Sequence, residues 1–140
     1  MNPTHLREGS ARIEVERFAR AVDATFDPQA DRTLLALAVQ PGGKIFVGGD
    51  FGFFTPNGGS PIARNHIARL YANGSVDLTF DPNAQAGVLL TTVYAIVQQP
   101  NGGLVFGGDF TSLSPNGGSA ITRNNIAELN IDDIFANGFE

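Results

Sequence analysis

Two copies of the letters GGDF stand 59 residues apart and supply the most evident candidates for chemistry. Carboxylates contributed by successive repeats, here Asp50 and Asp109, are the oxygen ligands that a hard cation takes, and a ring of them would bind a cation or a polar ligand. Alternatively, each aspartate caps backbone N–H groups after the paired glycines. We favour the caps, which leaves Asp50 and Asp109 as weak metal candidates. The two copies are Gly48, Gly49, Asp50 and Phe51, and Gly107, Gly108, Asp109 and Phe110.

A second recurring polar pair is Arg64-Asn65, which returns as Arg123-Asn124. An arginine recognises a ligand's carboxylate through two parallel hydrogen bonds, or it pairs with an aspartate of its own unit. We favour the internal pair, so that these residues also belong to the structural motif.

Catalytic and cofactor-binding motifs are not evident in the rest of the sequence. There is no G-x-S-x-G, phosphate loop or H-E-x-x-H pattern, and there is no cysteine. The two histidines, His5 and His66, lack a partner at ligand spacing. We therefore predict no catalytic residue, no cofactor and no enzyme activity. One group of phenylalanines could form an aromatic platform on which sugars stack, or it could pack in the core. We favour the core for this group, which is Phe51, Phe53, Phe54 and Phe110.

Composition limits the partners. Hydrophobic residues make up 42% and charged residues 16% of 140 residues, which is typical of a globular chain. The net charge of −5 argues against nucleic acid and against an anionic membrane surface. No apolar run approaches the length of a membrane span. The charged N-terminus lacks a signal-peptide core, which favours the cytoplasm unless the chain is the end of a longer secreted protein.

The elements that must position these residues follow from an internal repeat. At an offset of 59, residues 37–71 and 96–130 are identical at 18 of 35 positions. A period of this length with short strands indicates propeller blades or an array. The first copy predicts four strands, at 33–40, 44–51, 65–72 and 75–82. The first of these, "TLLALAVQ", is apolar without alternation, which predicts a strand buried on both faces.

The remaining segments complete the predicted organisation. Residues 21–28, "AVDATFDP", match 75–82 at six of eight positions and predict a leading strand. The predicted fold is all-β, with two four-stranded antiparallel propeller-type blades plus a leading strand, a partial β-propeller. The blades are about 33–82 and 91–131, within repeats spanning 21–131. Residues 1–20 form a helical or irregular lead-in, and 132–140 form a tail.

The pattern "AVQPGGKIFVGGDF … RNHIARLYANGSVDLTFDP" resembles the delta-60 repeat family of β-propeller repeats, over about residues 21–131. The resemblance implies propeller blades in large, mostly bacterial and often exported proteins, hence an extracellular or cell-surface location. It carries over no catalytic residue. Family members usually have enough repeats to close a ring, and two units do not.

Two classes of function remain. The first is a non-catalytic scaffold or binding module, with protein or self-association through exposed blade faces and a glycan as a candidate ligand. The second is a fragment of a lyase or hydrolase acting on extracellular polysaccharide. We favour the first, because a single catalytic site would break the symmetry of the repeat, whereas the polar motifs occur in both copies. Two units leave outer blade faces open, and the leading strand is expected to complete the last blade of a neighbour.

Overall fold

The computed structural model describes residues 21–87 and 90–130. Within these ranges the chain is all-β, with several small antiparallel sheets and two 3-10 turns, at Pro56–Gly58 and Pro115–Gly117. This confirms the predicted fold class and is consistent with a partial β-propeller. The predicted lead-in at 1–20 and tail at 132–140 lie outside the described residues. The strands are β1 Leu34–Val39, β2 Ile45–Gly49, β3 Phe53–Phe54, β4 Ile62–Ala63, β5 Ile67–Leu70, β6 Ala84–Gln85, β7 Val93–Gln98, β8 Leu104–Gly108, β9 Ser112–Leu113, β10 Ile121–Thr122 and β11 Ile126–Leu129.

Each unit is built around a three-stranded main sheet. The strand order is β1-β2-β5 in the first unit and β7-β8-β11 in the second. The turn after the first strand closes with a hydrogen bond from the N–H of Gln40 to the carbonyl of Lys44, and Gly43 supplies the left-handed backbone at φ 95°. Gly102 repeats that conformation at φ 91°. The predicted turns therefore set the pairing of the two longest strands in each unit.

A short hairpin follows the middle strand of each unit. β3 pairs with β4, and β9 pairs with β10. The PNGGS loop forms the tip of each hairpin, with Asn57 and Asn116 in the left-handed region, which Asn tolerates. The segment that enters each unit adds to this hairpin, because Ala30 bridges Phe54 and β6 pairs with β9. These two-residue strands were not predicted.

The predicted fourth strand at 75–82 and leading strand at 21–28 were wrong within the described residues. Only Val76 bridges the main sheet, opposite Leu70. At Asp77 the chain turns away, because the backbone N–H and the hydroxyl of Thr79 both donate to its carboxylate, at 2.9 and 2.6 Å. Asp23 and Thr25 form the same turn in the leading segment. A local side-chain bond of this kind replaces the ladder of a strand.

The prediction that the first strand is buried on both faces was also wrong. Leu37 and Val39 are 62% and 61% exposed, and they lie on the same face of the sheet as Val47 and Ile45. The counterpart β7 is partly covered because it packs against β1 and β2. β1 is therefore apolar on both faces although one of these faces is open in the first unit.

The core divides into two clusters. One lies within the first unit. The other joins the two units, because Phe46 and Ile67 of the first unit pack with buried residues of the second. Residues alternate between the clusters along β2, so that this strand is buried on both faces. The first cluster contains Val47, Phe51, Phe54, Ala68, Leu70 and Val76. The second contains Phe46, Ile67, Phe80, Ala84, Val93, Leu104, Phe106, Phe110, Leu113 and Ala127.

Candidate functional site

The repeated aspartates tie the end of the second strand to the start of the first. The carboxylate of Asp50 accepts the N–H of Thr33 at 2.9 Å, and the N–H of Asp50 donates to the carbonyl of Thr33 at 3.1 Å. Asp109 repeats the backbone bond to Thr92 at 2.8 Å, while its carboxylate accepts the hydroxyl of Tyr94 at 2.9 Å. That hydrogen bond raises the pKa of Tyr94. The carboxylate of Asp50 therefore accepts a backbone N–H, whereas that of Asp109 accepts a side-chain hydroxyl.

The glycines before these aspartates allow the close approach. A Cβ at Gly49 would overlap the carbonyl oxygen of Thr33, and one at Gly108 would overlap that of Thr92. Gly48 serves the contact between the units instead, since a Cβ there would lie 2.6 Å from Cγ1 of Val93 and 3.1 Å from Cδ1 of Ile96. The paired glycines thus have two different steric roles.

Arg64 connects the first unit to the segment that enters the second. It is buried, its Nε donates to the carbonyl of Phe80 at 3.1 Å, and its Nη1 lies 3.6 Å from the carboxylate of Asp81. Burial raises the pKa of Asp81, and the charge of Arg64 offsets this in part. The adjacent Asn65 donates to Asn83 at 2.7 Å. Arg64 therefore pairs with an acid of its own chain, Asp81.

The second copy of this pair lies in a different environment. Arg123 and Asn124 are exposed, and Arg123 donates to the carbonyl of Thr122 as Arg64 does to that of Ala63. Among the described residues no counterpart of Asp81 lies beside Arg123. The arginine that is buried in the first unit is therefore exposed in the second.

The phenylalanines belong mainly to the core. Phe51, Phe54 and Phe110 are fully buried, and the rings of Phe51 and Phe54 meet at 4.7 Å between centroids. Phe53 is 41% exposed. These positions do not form an open platform for a sugar.

A cleft of about 340 Å³ lies between the two units. Asp50 and His66 are on the side of the first unit, and Gln85 and Thr92 are on the side of the second. The segment between β6 and β7 is five residues longer in sequence than its counterpart in the first unit. Its described residues, 85–87 and 90–92, supply much of the wall. We call this space the inter-unit cleft. Its lining is Arg32, Asp50, Asn65, His66, Gln85, Ala86, Gly87, Leu90, Thr91 and Thr92.

The groups in the inter-unit cleft are polar and of both charges. The Nε of Arg32 lies 3.4 Å from the carboxylate of Asp50. His66 is held at φ 74°, and its buried Nδ1 makes no hydrogen bond with the described residues. Burial lowers the pKa of His66, and the carboxylates of Asp50 and Asp31 offset this only in part. The imidazole is therefore neutral near pH 7, and because Nδ1 is buried only Nε2 is left to bond a ligand in the cleft.

Sequence reasoning singled out Asp50 and Asn65 as motif residues, but it did not predict that they line a cleft with Arg32, His66 and Gln85. The signal was the departure from the repeat. His66 and Arg32 are replaced by Asn125 and Thr91 in the second copy, and the longer loop falls at the same place. At these positions the backbone that the two units share does not dictate the residue.

Two general features concern metals and membranes. Within residues 21–87 and 90–130, no group of three His, Asp or Glu side chains is arranged to hold a metal ion. In the same part of the chain, no helix has the length and apolarity needed to cross a membrane.

The sheets and the repeated motifs define a repeat protein of the β-propeller class. Residues 40–80 match a family model described as a domain of unknown function (DUF5122) beta-propeller. The matched segment runs from the turn before β2 to Phe80, and it includes Asp50, Arg64 and Asn65. No curated protein and no solved structure matches the chain.

Proposed function

We propose that this chain is a non-catalytic β-propeller repeat module that binds a ligand, of the delta-60 type, from an exported bacterial protein. One observation carries the proposal. The polar residues shared by both units are used in bonds that hold the fold, such as Asp50 to Thr33 and Arg64 to Phe80. Arg32 and His66 differ between the units, and they face the inter-unit cleft beside the shared Asp50. A binding surface that varies on a repeated scaffold is the usual arrangement in repeat proteins.

The chemistry of the inter-unit cleft favours a hydroxyl-rich ligand, a saccharide unit of a glycan. Asp50 accepts hydrogen bonds, the guanidinium of Arg32 donates them, and Asn65 and Gln85 do both. Hydroxyl groups satisfy such a mixed set without requiring a net charge. The volume lies at the lower end of the range for small-molecule sites, which fits one or two sugar rings.

Calorimetric titration with a panel of oligosaccharides, with products monitored by chromatography, tests this function. We expect binding without turnover. Asp50→Asn keeps an acceptor for Thr33 but changes the cleft, and it should weaken binding. Asp109→Asn is the matched control, because Asp109 does not line the cleft, and it should bind as the unchanged chain does. Equal effects of both variants would contradict the site, and turnover would favour the polysaccharide enzyme.

A further inference from the structure

The face of the second main sheet that points away from the first unit repeats a face that the first unit buries. In the first unit this forward face carries Phe46, Gly48 and Ile67, and it packs against the second unit. In the second unit the same positions are Val105, Gly107 and Ile126. Ile67 is fully buried, whereas Ile126 is 62% exposed. The second unit therefore presents an apolar forward face that no described residue covers.

The opposite face of the first main sheet repeats the surface that fills such a face. In the second unit this rear face places Val93 and Ile96 over Gly48. The corresponding residues of the first unit are Leu34 and Leu37, and Leu37 is 62% exposed. Each of the two surfaces that meet between the units therefore occurs a second time. The second forward face lies on the second unit, and the second rear face lies on the first unit.

We propose that the forward face of the second unit binds the rear face of the first unit in a second copy of this chain, head to tail. Gly107 provides the space for the partner side chains. Among the described residues, the nearest heavy atom to a Cβ built there is the carbonyl oxygen of Asn125, at 3.4 Å. Gly48 provides the same space inside the chain, where Val93 occupies it.

A polar contact between the units can also be formed between two copies of the chain. Arg64 bonds the carbonyl of Phe80 and lies beside Asp81. Their counterparts in the leading segment are Phe26 and Asp27, which the second copy would place beside Arg123. The leading segment already has the required position, because Asn57 donates to the carbonyl of Asp27 at 2.8 Å as Asn116 does to that of Asp81 at 2.7 Å. The contact thus joins a basic group of one copy to an acidic group of the next.

One position does not fit this pattern. The buried pair of Arg69 with Asp77 inside the chain becomes Glu128 opposite the Asp23 of the second copy. Two carboxylates at one contact lower the affinity. The comparison with the contact inside the chain therefore predicts that two copies associate weakly. Reversing the charge of Glu128 should strengthen this association.

The contact is heterologous, because different surfaces of the two copies meet. Such contacts produce rings when the rotation closes and open filaments when it does not. The proposal rests on the proposed role of the chain as a repeat module. Its test measures oligomeric state rather than saccharide binding, so that failure here is distinguishable from failure of the ligand site.

Sedimentation velocity of the full chain over a range of concentrations tests the proposal. We expect reversible association of the unchanged chain, and weakening by about tenfold or more in two variants. Gly107→Val fills the forward face, and Leu37→Lys places a charge on the rear face. Neither should unfold the chain, since Gly107 has room for a Cβ and Leu37 is exposed. Circular dichroism checks this, and a stable monomer of the unchanged chain at high concentration overturns the proposal.

Mixing the variants tests the head-to-tail arrangement. Each variant keeps one intact face, so a mixture of Gly107→Val with Leu37→Lys should form a dimer of one copy of each and stop there. A mixture that associates no more tightly than each variant alone contradicts the proposal. Self-association of either variant as tight as that of the unchanged chain also contradicts it. Glu128→Arg should associate about tenfold more tightly. Unchanged or weaker association of Glu128→Arg would show that the register is wrong.

Discussion

The guanidinium of Arg69 lies 2.8 Å from the carboxylate of Asp77, and their side chains are 5% and 0% exposed. Asp77 also accepts two hydrogen bonds from Thr79, and Lys44 lies 3.9 Å from the same carboxylate. Arg69 is above the rings of Phe46 and Phe80. This pair therefore joins the last strand of the first unit to the turn that leads into the second. Both the guanidinium and the carboxylate have further favourable contacts.

Asp77→Asn should destabilise the chain by about 3 kcal/mol, because it leaves a buried guanidinium without its counter-charge. Burial raises the pKa of Asp77, but the hydrogen bonds from Thr79 and the charge of Arg69 more than offset this and hold the pKa below its ordinary value. The group therefore stabilises the fold above about pH 4, and this contribution is lost as the pH falls through the lowered pKa.

Urea denaturation at pH 7 and pH 3 measures this effect. The unchanged chain should lose more stability between the two pH values than Asp77→Asn does. Asp23→Asn is the control, since Asp23 forms the same turn with Thr25 but is exposed, and its effect should be smaller. Equal losses in the two variants would contradict the buried pair.

Gly49→Ala should destabilise the chain by about 1–3 kcal/mol, because the new Cβ would overlap the backbone carbonyl of Thr33. Gly108→Ala should behave alike in the second unit. Gly42→Ala is the matched control, because nothing lies within 4 Å of a Cβ there, and it should be close to neutral. Thermal unfolding compares them, and equal melting temperatures for the Gly49 and Gly42 variants would remove the close-approach account.

His66→Asn should stabilise the chain by about 1 kcal/mol. Asn125 holds this position in the second unit with φ 72°, and its side chain donates to the carbonyl of Gly108 at 2.9 Å. Asn tolerates the left-handed backbone better than other non-glycine residues. The reciprocal change, Asn125→His, should destabilise. A loss of stability in His66→Asn would show that the imidazole makes a favourable contact of its own.

The same substitution changes the pH dependence. Because the pKa of His66 is lowered in the folded state, the unfolded chain takes up the proton first, near pH 6.5. The neutral imidazole therefore costs no stability above that pH, and stability is lost as the pH falls below it. His66→Asn should flatten the stability profile between about pH 6.5 and pH 5, as measured by urea denaturation. A profile that keeps its slope would assign the effect to other groups.

The sequence was sufficient for the class of fold and for the structural motif, and the reason is the repeat. Identical letters at Gly49 and Gly108, or at Asp50 and Asp109, indicate a shared backbone requirement, and the close contacts with Thr33 and Thr92 are that requirement. The strand ends were less predictable. The run after Ser75 has the apolar alternation of a strand, yet the side chain of Asp77 turns the backbone after one bridge.

The inter-unit cleft could not be predicted, because it depends on how two units pack. Periodicity identifies the strands but not which face of β1 is covered, so the exposure of Leu37 was missed. The cleft residues were visible only as departures from the repeat, at Arg32 and His66. Their proximity to Gln85 follows from the packing of Phe46 and Ile67 against the second unit, which no local pattern specifies.

The central claim is that the two repeats pack as neighbouring blades, with Val93 of the second over Gly48 of the first. A double-mutant cycle in urea denaturation tests it directly. Gly48→Ala and Val93→Ala should each destabilise the chain, and together they should cost less than their sum by about 1 kcal/mol or more, because Val93→Ala removes the methyl group that the new Cβ meets. Gly107→Ala combined with Val93→Ala is the control and should be additive. Additive effects for Gly48→Ala with Val93→Ala would contradict the packing of the two units.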